Sequence, residues 1–168
     1  VGSHVKTTTM QVAAARALPN VAALEISVPK LLDPADRDAE IDGAIATAAT
    51  HLEAGRDVIV YTSRDVITTH AGIGALEIGK RVSSALVALV KRMPVRPAWM
   101  IAKGGITSSD VATDGLGIRQ AYVLGQAIPG VPIWRTDPTS RWPGLTYVVF
   151  PGNVGGSDAL AQMIRVLR

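Results

Sequence analysis

The apolar runs of this chain do not alternate with polar residues, and that restricts the folds open to it. Val58–Tyr61 within DVIVYT and Thr146–Phe150 are nearly continuous β-formers. A strand wet on one face repeats apolar and polar residues with a period of two, whereas a strand covered on both faces does not. Between such runs lie segments with helical spacing. The clearest is 72–93, where Ile78, Val82, Ala85, Leu86, Leu89 and Val90 form one stripe. Doubly covered strands alternating with amphipathic helices predict an α/β fold, a mostly parallel sheet with helices on both faces. Closely spaced strands after Gly117 predict an antiparallel portion in the C-terminal half.

Element by element, Met10, Ala13, Ala14, Ala17 and Leu18 mark a first helix, entered through Thr7-Thr8-Thr9 and stopped by Pro19-Asn20. A strand is expected over 21–28. Asp33-Pro34 reads as an N-cap with proline at the first helical position, opening a helix that Gly55 closes. Its inner face is Ile41, Ile45, Ala48, Ala49 and Leu52. Strands are predicted over 57–62, 97–102, 120–124, 131–134 and 145–150, with a short helix after Thr107. Ser157 would cap a last helix with Leu160, Met163, Ile164 and Leu167 inward.

No apolar stretch approaches the roughly 20 residues of a membrane-spanning helix, so no membrane partner is expected. The chain contains no cysteine, which removes disulfides and thiolate metal sites and fits a cytoplasmic setting. The net charge of +3 is carried by scattered Lys and Arg residues with one Phe, three Tyr and three Trp, a poor supply for base stacking, so no nucleic-acid partner is expected. His4, His51 and His70 lack metal-ligand spacing, and no metal-binding side chains are assigned. Val1-Gly2-Ser3 reads as the end of a strand turning into a helix. Gly2-Ser3-His4 also matches a cloning scar, but Val1 ahead and a helix directly behind favour native sequence. Residues 1–168 are therefore expected to form one domain cut from a longer protein.

Chemistry concentrates in glycine-centred turns, each leading from an apolar strand towards a helix: Gly2-Ser3, Lys103–Asp110 and Pro151–Ser157. Glycine lets backbone approach a ligand closely, and a helix N-terminus offers unpaired N–H groups to phosphate. In a parallel sheet all such turns fall on the strands' C-terminal edge, where ligands bind. The same turns could serve geometry alone. No phosphate-loop sequence ending in Gly-Lys-Ser/Thr is present, and Gly72-Ile73-Gly74 lacks the third glycine of a dinucleotide fingerprint. Lys103 and Arg64 follow strand ends and could reach phosphate oxygens or serve as surface residues.

At these turns the chain resembles the C-terminal nucleotide-binding domain of the four-carbon acid sugar kinase family. The resemblance runs from Val1-Gly2-Ser3 to the last helix. It rests most on Gly104-Gly105-Ile106-Thr107, on Leu124-Gly125-Gln126 with Pro129-Gly130-Val131-Pro132, and on Phe150–Gly155. Such kinases phosphorylate the 4-hydroxyl of threonate, erythronate or 3-oxo-tetronate, with the acid on an N-terminal domain and ATP on the C-terminal one. The resemblance implies nucleotide contacts at Ser3, Gly104, Gly105, Ile106, Thr107, Gly152, Asn153 and Gly155, with ATP and Mg²⁺ as cofactors. The sugar acid would be met through the absent N-terminal domain, so the catalytic residues are unassigned and residues 1–168 alone are expected to be inactive. A homo-oligomer is compatible with the sequence. Ile106 stands where many members carry an acid, with Asp110 one turn later as a substitute. The alternatives are a non-catalytic nucleotide- or phosphometabolite-binding module of a fused metabolic enzyme, and a purely structural domain.

Overall fold

The computed structural model describes residues 1–65, 67 and 69–168. In chain order its elements are α1 (Lys6–Arg16), β1 (Val21–Ile26), α2 (Val28–Leu32), α3 (Arg37–Glu53), β2 (Asp57–Thr62), β3 (Thr69–His70), β4 (Ile73–Gly74), α4 (Ala75–Arg92) and β5 (Trp99–Lys103). Then come α5 (Gly105–Asp110), a π-helical turn (Val111–Gly115), β6 (Ala121–Ile128), β7 (Val131–Thr136), β8 (Thr146–Phe150) and α6 (Ala159–Leu167).

β1 and β2 pair in parallel, and β5 pairs in parallel with β8 in a sheet ordered β5-β8-β7-β6. The β6–β7 and β7–β8 pairs are antiparallel, so the expected mixed character lies in the C-terminal half. Strand side chains alternate between two apolar layers. Val58 and Val60 of β2, Met100 and Ala102 of β5, and Tyr147 of β8 meet the cluster built on α3 and α4. Ile59, Tyr61, Ile101, Val148 and Phe150 meet the cluster built on α1 and α6. Helices thus cover both faces, which is why these strands carry no polar alternation.

Several boundaries differ from the sequence reading. α1 buries Thr8, Gln11, Val12 and Ala15, while Met10 stays 43% exposed, so its inner face is rotated from the expected stripe. The polar pair turns inward because it has bonding partners there, described below. The expected long strand over 21–28 stops at Ile26. Val28 starts the short α2, with Pro29 in its first turn. Asp33 does not cap α3: its carboxylate accepts from the Ala35 N–H at 2.9 Å in a turn, and α3 starts at Arg37. α3 nevertheless buries Ile41, Ile45, Ala48 and Ala49, with Leu52 half-buried, as its spacing predicts. Gly72 is not a helix entry; with Ala71 it makes the positive-φ turn of the β3–β4 hairpin. The short helix opens at Gly105, ahead of Thr107, and β6 runs on to Ile128 through Gly125. Asp158, not Ser157, holds the N-cap position of α6.

Val1 has a special place in this topology. Its amine donates to Val60 O at 2.6 Å, and its carbonyl accepts from the Thr62 N–H at 3.2 Å. That alternation is a parallel bridge to β2. The next N–H, of Gly2, donates to Lys103 O at 3.1 Å, on β5. The first two residues therefore stitch the two sheets together at their C-terminal ends.

Candidate functional site

β5 ends at Lys103, β8 at Phe150, and Val1 lies beside the end of β2. Their shared direction sends the chain out of the sheet at one edge, and the three glycine turns meet there. A Cβ at Gly104 would lie 3.3 Å from Ser3 N, and one at Gly152 would lie 2.7 Å from Ser3 Oγ. A Cβ at Gly2 would come within 2.1 Å of Thr107 Oγ1. Ser3, Gly104, Thr107 and Gly152 are thus within touching distance, and the glycines are what lets the turns close on one another. Gly104 also needs glycine for its φ of +123°. Gly105 and Ile106 are exposed at the start of α5, Thr107 is buried, and Asn153 and Gly155 are exposed on the loop after β8. Among the described residues a Cβ at Gly105 meets nothing within 4 Å, and its φ is ordinary.

The buried polar residues of α1 explain how the loop after β8 is shaped. Thr8 Oγ1 donates to Gly152 O at 2.8 Å. Gln11 Nε2 donates to Val154 O and Gly156 O, both at 2.9 Å, and reaches Gly155 O at 3.4 Å. Lys103, fully buried, sends its ammonium to Pro151 O at 2.5 Å and Gly152 O at 3.1 Å, over the Phe150 ring. In a planar trans peptide the N–H points opposite to the C=O. Carbonyls held inward by Thr8, Gln11 and Lys103 therefore turn the N–H groups of Gly152, Asn153, Gly155, Gly156 and Ser157 away from those donors. None of these five has a hydrogen-bond acceptor among the described residues. Successive unpaired N–H groups on a curved loop make a concavity suited to anions.

This geometry corrects the reading of Lys103. Lys103 is spent on loop carbonyls and is not aimed at a ligand. Burial lowers its pKa to about 8. Arg64 turns to α1, donating through Nε and Nη2 to Thr9 Oγ1 at 3.2 and 2.9 Å. Asp110 accepts from Ser83 Oγ of α4 at 2.5 Å, which ties it to the scaffold. Thr8 and Gln11 escaped the sequence reading because nothing local distinguishes a clamping polar residue from a solvated one. Among the described residues no group of three His, Asp or Glu side chains is placed to hold a metal.

An α/β domain with glycine-rich turns gathered at the C-terminal edge of parallel strands is a class built to present backbone amides to a ligand. The chain belongs to the nucleotide-binding C-terminal domain family, whose profile matches residues 1–160, the C-terminal domain of the four-carbon acid sugar kinase family. It is 29% identical over 145 residues to a 3-oxo-isoapionate kinase of Paraburkholderia graminis, covering 77% of this chain and 30% of that protein. It is also 29% identical over 151 residues to a 3-oxo-tetronate kinase of Cupriavidus necator, covering 86% and 34%. The chain thus spans about a third of the length of these relatives. Solved structures share the fold. A Haemophilus influenzae protein superposes with a TM-score of 0.78 at 17% identity, over 99% of this chain and 39% of that one. A Bordetella bronchiseptica domain of unknown function, a domain-swapped dimer with bound citrate, gives 0.75 at 20%, over 98% and 39%. No helix among the described residues is long and apolar enough to cross a membrane.

Proposed function

We propose that residues 1–168 bind ATP through the amides of the Gly104 and Gly152 turns. In the full-length protein this domain would carry out phosphorylation of a four-carbon sugar acid of the threonate, erythronate or 3-oxo-tetronate type. The observation that carries the reading is the set of outward-turned N–H groups at Gly152, Asn153, Gly155, Gly156 and Ser157, beside the exposed Gly105 and Ile106. Phosphate oxygens are acceptors only, and amides fixed by the fold meet them without reorganisation. The described residues therefore fit the phosphates of a nucleotide. They offer no carboxylate cluster for Mg²⁺, so the ion would be carried on the nucleotide's own oxygens, neutralising charge on the transferred group.

The chain's own contribution is positioning. The amides bind the polyphosphate, Lys103 and Gln11 hold the loop in shape, and Ser3 and Thr107 close the floor between the turns. The acid and the group that accepts its hydroxyl proton belong to the proposed N-terminal domain, so residues 1–168 alone should not turn over. Calorimetric titration of a non-hydrolysable ATP analogue with Mg²⁺ tests the site. Gly105→Val adds its side chain into open space at an ordinary φ, so the fold should tolerate it while affinity falls at least about tenfold, or ~1.4 kcal/mol. Unchanged affinity in a folded Gly105→Val protein would remove the Gly104 turn from the site.

A further inference from the structure

Between β2 and β5 the sheet is open. Among the described residues only Val1 and Gly2 bridge the two strands, at one end. Behind them lies a cavity of about 330 Å³. Val58 and Val60 on one side, Met100 and Ile101 on the other, and Leu86 and Ile164 from the covering helices contribute to its walls. Two strands each one hydrogen-bonded step from a shared segment stand about 9.6 Å apart, twice the ordinary strand spacing. That leaves room for one strand and no more. Thr62 N–H and Val60 O face Val1, so on β2 the even-numbered backbone groups face the slot; Ser63 N–H bonds to Ile26 O, so the odd-numbered ones face β1. Lys103 O faces Gly2 while Gly104 N–H bonds to Phe150 O, so on β5 the odd-numbered groups face the slot. Unpaired buried backbone is costly, and a parallel edge is normally covered.

We propose that the residues immediately preceding Val1 in the full-length protein fill this slot as a parallel strand, joining the two sheets into one. The occupant is fixed by continuity, because Val1 already pairs with β2 and leads directly out of the slot. The matching family is a C-terminal domain and the relatives are about three times the length of this chain, so residues precede the matching segment in them. Register follows from the bridges already made. The residue before Val1 would donate to Ile101 O and accept from the Lys103 N–H. The one before that would donate to Val58 O and accept from the Val60 N–H. β2 extends four residues back from Tyr61, which faces Val1, to Asp57, so about four further residues would pair. Val1 packs on the α1–α6 side. Side chains of the new strand would therefore alternate into both apolar layers, starting with the α3–α4 side, and should be mostly Val, Ile or Leu. The Val1 amine would become a peptide N–H.

Hydrogen exchange on the full-length protein tests this without reference to any ligand. The slot-facing N–H groups of Val58, Val60, Ile101 and Lys103 should exchange as slowly as those of Ile59 and Ala102, which face β1 and β8. Exchange of the first set about a hundredfold faster than the second would overturn the proposal. Proline placed two residues before Val1 removes the donor to Val58 O and should speed exchange at Val58 and Val60 by tenfold or more. If those amides stay protected in that variant, another segment fills the slot and the assignment fails. An apolar small molecule retained by the protein, with the four amides still exchanging fast, would also refute it.

Discussion

Replacing Gln11 with methionine would remove the donor that holds three loop carbonyls while nearly keeping its volume. Gln11 is fully buried, and its two good bonds, at 2.9 Å to Val154 O and Gly156 O, contribute about 1 kcal/mol each net of water. Against this, its own Oε1 is buried without a partner among the described residues, and losing it relieves a penalty of about 1 kcal/mol or more. Gly155 and Gly156 are exposed, so their freed carbonyls can rehydrate. The balance is a destabilisation of about 1 kcal/mol, a Tm drop of about 2–4 °C for a domain of this size. The larger effect should be on binding. Carbonyls no longer held inward let the peptides rotate, and the amides of Gly155, Gly156 and Ser157 lose their common direction. Affinity for ATP–Mg²⁺ should then fall at least about tenfold, beyond anything the folded fraction explains. Differential scanning calorimetry and titration on the same preparation measure both, with the exposed Met10→Ala as the control. A lowered Tm with unchanged affinity would refute the argument that α1 shapes the site by holding carbonyls. An unchanged Tm would refute the energetics assigned to Gln11.

Gly104→Ala forces φ +123° on an L-residue and sets a Cβ 3.2 Å from Thr107 Oγ1, so it should destabilise by about 1–3 kcal/mol, whereas Gly105→Ala should leave the melting temperature nearly unchanged. Equal effects in thermal denaturation would contradict the backbone geometry of this turn. Lys103 has a folded pKa of about 8 against an ordinary 10.5, so between those values the unfolded chain binds more protons and stability should rise with pH. Lys103→Met should flatten that rise in denaturant titrations run from pH 8 to 10.5, and an unaltered slope would assign it to other groups.

Where sequence could be read, local pattern and tertiary outcome agreed. β2 falls on 57–62 as expected, and α4 buries Ile78, Ala85, Leu86, Leu89 and Val90 from its predicted stripe. A 3.6 period over five turns leaves little freedom of phase. α1 was misphased because its inner face is polar: Thr8 and Gln11 are buried by bonds to residues more than 140 positions away. No local pattern carries that information. Val28 continues the β-forming run that precedes it, so α2 was hidden, and Pro29 only makes sense once the helix is known. Each glycine turn was visible separately. Their meeting was implied by the parallel strand order, but the inward carbonyls that turn the loop amides out depend on Lys103 and Gln11 being buried. A lysine after a strand looks the same in sequence whether it faces solvent or the core.

The bridge made by Val1 and Gly2 also sets the order in which the domain can be built. These residues pair with positions 60, 62 and 103, and the helix behind them packs on the loop at Gly152 and on α6. During synthesis, at about 5–20 residues per second, this segment emerges ahead of the rest of the domain and waits for Gly152 and α6 before all its partners exist. Contacts of such separation carry a loop-closure cost before any burial offsets it. The centre of the sheet is therefore the last part to lock, and a truncated nascent chain would hold its β1–β2 unit with an apolar edge still uncovered.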